Sequence, residues 1–259
     1  PLDQARYILR DAGIRTLFVG EQPQFDRAPE FLGAADIERI VALDDGVDLR
    51  GCPRASRFRD FVREGDDPAD VAELARRGEQ FRMDDLLTLI YTSGTTGEPK
   101  GVMLDFANFA ACFDMHDRRI RFGDQDVSLC MLPLSHVFER TWTYYVLYRG
   151  GENVYIRDPQ QVMEVIADVK PTAMCAIPRL YEKAYAVVQD KMSKASPLRR
   201  RLFAWATAVG TRVVERRQTG ASLPPGLGLQ RWIADRLVGR TLRARFGGRM
   251  RLLPVAGAR

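Results

Sequence analysis

The chain has 259 residues, 46% hydrophobic and 28% charged, which fits a globular protein with one large domain or two modest ones. No apolar run approaches the roughly 20 residues that span a bilayer, and the first residues, Pro1-Leu2-Asp3-Gln4, carry neither an initiator Met nor a signal-peptide pattern, so the natural start is expected upstream and the location cytoplasmic. The formal charge of +5 conceals an asymmetry, because residues 194–259 hold 15 Lys/Arg against only Glu215 and Asp235.

In chain order, short apolar runs alternate with helical stretches, the pattern of an α/β chain. Leu2–Ala12 reads as a helix, followed by the strands Thr16–Val19 and Ile40–Leu43. Residues 46–82 are polar, with Pro53 and Pro68, and read as loops with short surface helices. Leu86–Tyr91 is a strand that runs into a Gly/Thr loop, with a helix expected near Ala107–His116. Then come a strand at Val127–Leu132, a helix at Val137–Tyr148, a strand at Asn153–Ile156, a helix at Gln160–Val169 and a strand at Thr172–Ile177. Pro178 suits the first turn of the next helix. Leu198, Leu202, Trp205, Val209 and Val213 recur at helical spacing, and Leu229, Ile233 and Leu237 repeat it after the Pro224-Pro225-Gly226 break. Arg251–Val255 reads as a last strand.

Cys52, Cys112, Cys130 and Cys175 form no C-x-x-C pair and read as small hydrophobes in a reducing compartment, not as a disulfide or zinc set. The basic block at 194–259 suits an anionic surface or substrate, and equally a solvated helix face.

The most informative stretch is Tyr91-Thr92-Ser93-Gly94-Thr95-Thr96-Gly97-Glu98-Pro99-Lys100-Gly101. Its glycines let consecutive N–H groups converge on an anion, its hydroxyls add donors, and Lys100 adds a positive charge. Such a loop suits a polyphosphate; a Gly/Thr-rich hairpin turn with a solvated lysine has the same composition. It is not the nucleotide loop G-x-x-x-x-G-K-[ST], because Pro99 precedes the lysine and Gly101 follows it.

This run resembles the phosphate-binding signature of adenylate-forming enzymes, a family that includes acyl-CoA synthetases, luciferase-like proteins and peptide-synthetase adenylation domains. The resemblance implies that Thr92, Ser93, Gly94, Thr95, Thr96, Gly97 and Lys100 bind the ATP phosphates, and that Thr92 approaches a magnesium ion. Phe106 stands where the family commonly has a histidine, with Asn108 retained. A second run, Leu132-Pro133-Leu134-Ser135-His136-Val137-Phe138-Glu139-Arg140, is similar to the L-P-L-x-H-x-F-E-R string of the long-chain fatty acyl-CoA synthetase branch. It implies that His136 orients the reacting carboxylate and that Glu139 and Arg140 hold the helix start and the histidine; a plain helix cap at His136 is the alternative. Lys100, His136 and Glu139 are the catalytic candidates. Pro178-Arg179-Leu180-Tyr181-Glu182-Lys183 and Phe246-Gly247-Gly248-Arg249 look like further strings of that branch. Gly257 and Ala258 sit at the family's adenine-contacting turn, with Arg259 in place of its usual proline.

The resemblance implies part of a large N-terminal AMP-binding domain over 1–259, with helices on both faces of mixed sheets. The family's Y-G-x-T-E motif and its small C-terminal lid domain with a catalytic lysine are expected beyond Arg259. It further implies ATP-dependent activation of a long-chain fatty acid to an acyl-adenylate and transfer to CoA, with ATP, Mg2+ and CoA required. Nucleic acid is not an expected partner; for the basic block, a peripheral contact with an anionic membrane and a solvated helix pair packed on the domain stand as alternatives. A fatty acyl-AMP ligase, another acyl- or aryl-acid adenylating enzyme, and an inactive binding or scaffold homologue are the alternatives.

Overall fold

The computed structural model describes residues 2–32, 36–65, 67–93 and 97–256. It divides into two compact units, Pro1–Met115 and His116–Arg259.

In the first unit, α1 (Leu2–Asp11) leads through Gly13, in the left-handed region at φ 59°, into β1 (Thr16–Val19). A short helix, α2 (Gln22–Phe25), precedes β2 (Arg39–Ala42), and β3 (Ala55–Arg57) completes a parallel sheet in the order β1-β2-β3. Ile40, Val41 and Ala42 of the central strand are all buried, as a parallel strand covered on both faces requires. Leu9, Val19, Phe25, Ala28 and Ile37 pack in the same core. β3 lies inside the stretch read as loops and surface helices. Ala55-Ser56-Arg57 carry no apolar signature, and the strand exists through its backbone pairing with β2. α3 (Phe58–Glu64) and α4 (Pro68–Glu79) are the expected surface helices, neither with a buried residue. Asp67 caps α4 by accepting from the Ala69 amide at 2.8 Å.

β4 (Leu86–Thr92) and β5 (Lys100–Asp105) form an antiparallel pair that feeds α5 (Phe106–Asp117). β5 is not among the expected strands, because Gly101 and the flanking Lys100 and Asp105 weaken the strand pattern.

In the second unit, β6 (Val127–Cys130) pairs in parallel with β7 (Glu152–Tyr155). The strands expected near 172–177 and 251–255 are present only as extended segments joined by parallel bridges, Ser128 to Ala173, Ala173 to Leu252 and Ala176 to Val255. α6 (Val137–Tyr148) seats on β6 through a buried bond from Trp142 Nε1 to Ser128 Oγ at 2.9 Å, and Tyr145 donates to Asp117 at 2.9 Å. α7 (Val162–Val169) closes a core of Leu129, Val162, Ile166 and Met174. Asp126 binds three partners that are remote or local in sequence. It accepts from Thr172 Oγ1 at 2.7 Å and from the Gly123 amide at 3.0 Å, and pairs with the Arg251 guanidinium.

α8 (Pro178–Ser193) opens with proline in its first turn, as expected. α9 (Pro197–Gln218) and α10 (Pro225–Ala234) follow, then a π turn at Asp235–Gly239 and α11 (Arg240–Arg245). Of the apolar stripe on α9, Val209 and Val213 are buried, but Leu198 is 77% exposed. Leu229 and Leu237, which the helical spacing also assigns to a stripe, are exposed, and the buried residue of α10 is Ala234.

Candidate functional site

β4 and β5, which flank the Gly/Thr segment in sequence, pair antiparallel. Thr92 and Lys100 are directly opposed in the antiparallel register, and opposed residues project from the same face. Both are exposed, as are Ser93 and Gly97, whereas Pro99 is buried. A hydroxyl and an ammonium on one open face fit an anionic oxygen ligand. Gly97 has φ 102°, a conformation that any side chain strains. Gly94, Thr95, Thr96, Gly257 and Ala258 lie outside the described residues.

The opposite face of the hairpin is fixed. Tyr91 stands across from Gly101, where an added Cβ would come within 3.0 Å of its ring. Its hydroxyl donates to Asp11 at 2.6 Å, joining β4 to α1, and burial together with that carboxylate pushes the phenol up to about 12. Just after β5, the Asp105 amide donates to Asn108 Oδ1 at 3.1 Å and the Asn108 amide donates to Asp105 Oδ1 at 2.7 Å, a reciprocal box at the start of α5. Phe106 packs edge-on against Phe81 with ring centres 4.4 Å apart. Phe106 is therefore engaged in apolar packing.

In the second unit, His136 is the N-cap of α6 with extended backbone, φ −96° and ψ 137°, and its exposed side chain makes no capping bond. The turn is held by backbone and arginine instead. The His136 amide donates to the Pro133 carbonyl at 3.0 Å, and Arg140 Nε donates to the Leu134 carbonyl at 2.7 Å. His136 thus contributes its backbone to the helix start while its imidazole projects from the surface. His116 is packed near Tyr145 and Trp142, with ring centres 5.0 and 6.2 Å away.

Glu139, one turn into α6, is 0% exposed. Neither of its carboxylate oxygens has a hydrogen-bond partner among the described residues. Burial pushes its carboxyl up to about 7; the nearby Cys130 thiol and Leu132 amide offset this only in part. The same burial, aided by Glu139, raises the Cys130 thiol to about 12 and lifts Cys175 further, so both remain protonated. Among the described residues, no group of three or more His, Cys, Asp or Glu side chains has a metal-holding arrangement. Sequence reasoning missed the Tyr91–Asp11 bond and the Asp126 cluster, since neither carries a local motif.

The model of the family described as "AMP-binding enzyme" matches residues 1–229. The chain is 37% identical over 143 residues to long chain acyl-CoA synthetase 2 of Arabidopsis thaliana, an alignment covering 53% of this chain and 21% of that protein. It is 31% identical over 263 aligned positions to long-chain-fatty-acid–CoA ligase FadD15 of Mycobacterium tuberculosis, covering 99% of this chain and 41% of that protein. The chain thus spans well under half the length of these relatives. Among solved structures, the A-PCP didomain of carboxylic acid reductase from Segniliparus rugosus, in complex with AMP, superposes with a TM-score of 0.58 at 21% identity, covering 98% of this chain and 34% of that one. That likeness establishes the α/β fold. The chain belongs to the AMP-binding enzyme family.

Proposed function

We propose that the full-length protein is a long-chain fatty acid–CoA ligase, to which residues 1–259 contribute part of the large AMP-binding domain. The observation that carries this reading is the pairing of Thr92 with Lys100 on one open face at the mouth of the Gly/Thr loop. The family membership and the names of its relatives support it.

In the first step a fatty carboxylate oxygen attacks the α-phosphorus of ATP, the bond to the bridging oxygen breaks, and pyrophosphate leaves. Thr92, Ser93 and Lys100 bind the β- and γ-phosphate oxygens and take up the charge that grows on the leaving group. Gly94, Thr95, Thr96 and Gly97 supply backbone donors to the same oxygens. The Thr92 hydroxyl would hold a magnesium ion there, and the ion would supply further charge neutralisation. His136 orients the carboxylate, and Arg140 keeps the turn beneath it in place. In the second step the CoA thiol attacks the acyl carbonyl and AMP leaves. Gly257 and Ala258 are assigned to the adenine.

The reading includes a peripheral contact with an anionic membrane through α9 and the stretch from α10 through the π turn to α11. Trp232 and Leu229 are each 60% exposed there, among Arg231, Arg236 and Arg240, with the Arg236 guanidinium 5.7 Å from the Trp232 ring centre. No helix among the described residues is long and apolar enough to cross a membrane. ATP–pyrophosphate exchange by the full-length protein, with thioester formation measured alongside, tests the ligase reading. Acid-dependent exchange without thioester identifies an acyl-AMP ligase instead.

A further inference from the structure

We propose that Glu139 is a positioning residue that works as a proton-operated latch: neutral, it lets the first turn of α6 seat against β6 with His136 at its outer end; ionised, it unseats that turn. The link to turnover rests on the ligase reading, but the latch is a property of the fold and can be measured without turnover.

The geometry begins with the place of Glu139 in the helix. It is the third residue of α6, three after the N-cap His136. A glutamate there commonly reaches back to the N-cap amide. Here that amide is taken by the Pro133 carbonyl at 3.0 Å, and the Glu139 side chain turns into the interior. It is fully buried, and no donor among the described residues meets either oxygen in good hydrogen-bond geometry, although the Cys130 thiol and the Leu132 amide lie close enough to act on the carboxyl.

Among the described residues, the groups that act on its carboxyl are uncharged. β6 and the residues after it contribute the Cys130 thiol and the Leu132 amide, and the 172–176 segment contributes the Cys175 thiol. One turn along α6, Thr143 neighbours Cys130 and accepts from Asn153 Nδ2 of β7 at 3.2 Å. The Asn153 Oδ1 atom is itself buried and unpartnered among the described residues. No cationic group contributes to the carboxyl's shift.

An unpaired carboxylate in such a place is costly, and the positive end of the helix compensates only weakly. The carboxylic acid form carries no net charge and so avoids most of that cost. Burial sets the changeover near pH 7. Above it, the carboxylate regains water most directly by opening the first turn, which carries His136 and the Arg140–Leu134 bond.

The sign follows from proton linkage. A carboxyl whose folded-state pKa lies above its unfolded value binds more protons when folded, so stability falls as pH rises from the ordinary value of 4.5 to about 7. The test uses the full-length protein and its Glu139→Gln variant between about pH 5.5 and about pH 8.5. Melting temperature and amide exchange of residues 133–142 are followed, the exchange corrected for its intrinsic pH dependence. In the wild type, protection of 133–142 should fall by up to about tenfold per pH unit as pH rises toward the changeover and level off above it, while Gln, which cannot ionise, flattens this response and that of the melting temperature. A Gln variant that keeps the wild-type pH response overturns the latch. Should that variant fail to fold, infrared spectra of the wild type decide. A buried protonated carboxyl band that disappears near pH 7 supports the proposal, and a band absent throughout the range overturns it. Lack of acid-dependent ATP–pyrophosphate exchange contradicts the ligase reading alone; an unresponsive 133–142 segment contradicts the latch alone.

Discussion

Tyr91 occupies the space that a side chain at Gly101 would need. The two are directly opposed on β4 and β5, and a Cβ on Gly101 would sit 3.0 Å from the tyrosine ring. The contact fixes one face of the hairpin while the other presents Thr92 and Lys100. Gly101→Ala should therefore displace Tyr91 from Asp11 and cost about 1–3 kcal/mol, the range for inserting a methyl group into a packed site. Urea unfolding measures this, and an alanine variant as stable as the wild type contradicts the packing.

The Asp126 cluster makes a pH prediction of opposite sign to that of Glu139. Burial alone would raise the Asp126 carboxyl, but bonds from Thr172, Arg251 and the Gly123 amide outweigh burial and hold it below the usual carboxylate range. A depressed folded-state pKa gives stability that is present above the unfolded value and is lost as pH falls through the folded one. Asp126→Asn should destabilise the protein by about 1–2 kcal/mol at neutral pH, toward the lower end because Arg251 is partly exposed, and should shrink the acid-induced loss. Thermal melts from neutral to acid pH check both statements. An Asn variant with the wild-type acid profile removes Asp126 from the account.

The membrane contact predicts that the full-length protein sediments with anionic vesicles at low salt, not with neutral ones, and is released at high salt. Each arginine near an anionic surface contributes about 1 kcal/mol, over a screening length of roughly 10 Å. Trp232→Ala and Arg236→Ala together should weaken that binding, because they remove an exposed ring and the cation stacked on it. Equal indifference to both vesicle types leaves α9 and α10 as a solvated basic face.

What was legible in the sequence was what local pattern encodes. The strand into Thr92, the helix that starts after His136 and the Pro178 helix start were all readable because apolar periodicity and proline act over a few residues. β3 was not, since Ala55-Ser56-Arg57 are strand only through pairing with β2. β5 was hidden by Gly101, whose reason for being glycine is the Tyr91 ring across the ladder. In the candidate site, the motif named Lys100, His136 and Glu139 without distinguishing their surroundings. Lys100 and His136 are exposed while Glu139 is sealed inside, a difference that depends on the packing of β6 and the 172–176 segment around α6. Nor could spacing reveal the Asp126–Arg251 pair, whose members lie 125 residues apart.

The central claim is that the Thr92–Lys100 face serves ATP-dependent activation of a fatty acid. It is tested most directly by ATP–pyrophosphate exchange with full-length wild type and Lys100→Ala across saturated acids of increasing chain length, with melting temperatures measured in parallel. The account predicts exchange that depends on added long-chain acid. It also predicts that Lys100→Ala melts like the wild type, because Lys100 is exposed, yet loses about one to two decades of exchange rate, as expected when a charge-assisted contact worth about 1.5–3 kcal/mol is removed. Exchange that requires no fatty acid, or a Lys100→Ala variant that exchanges as fast as the wild type, contradicts it.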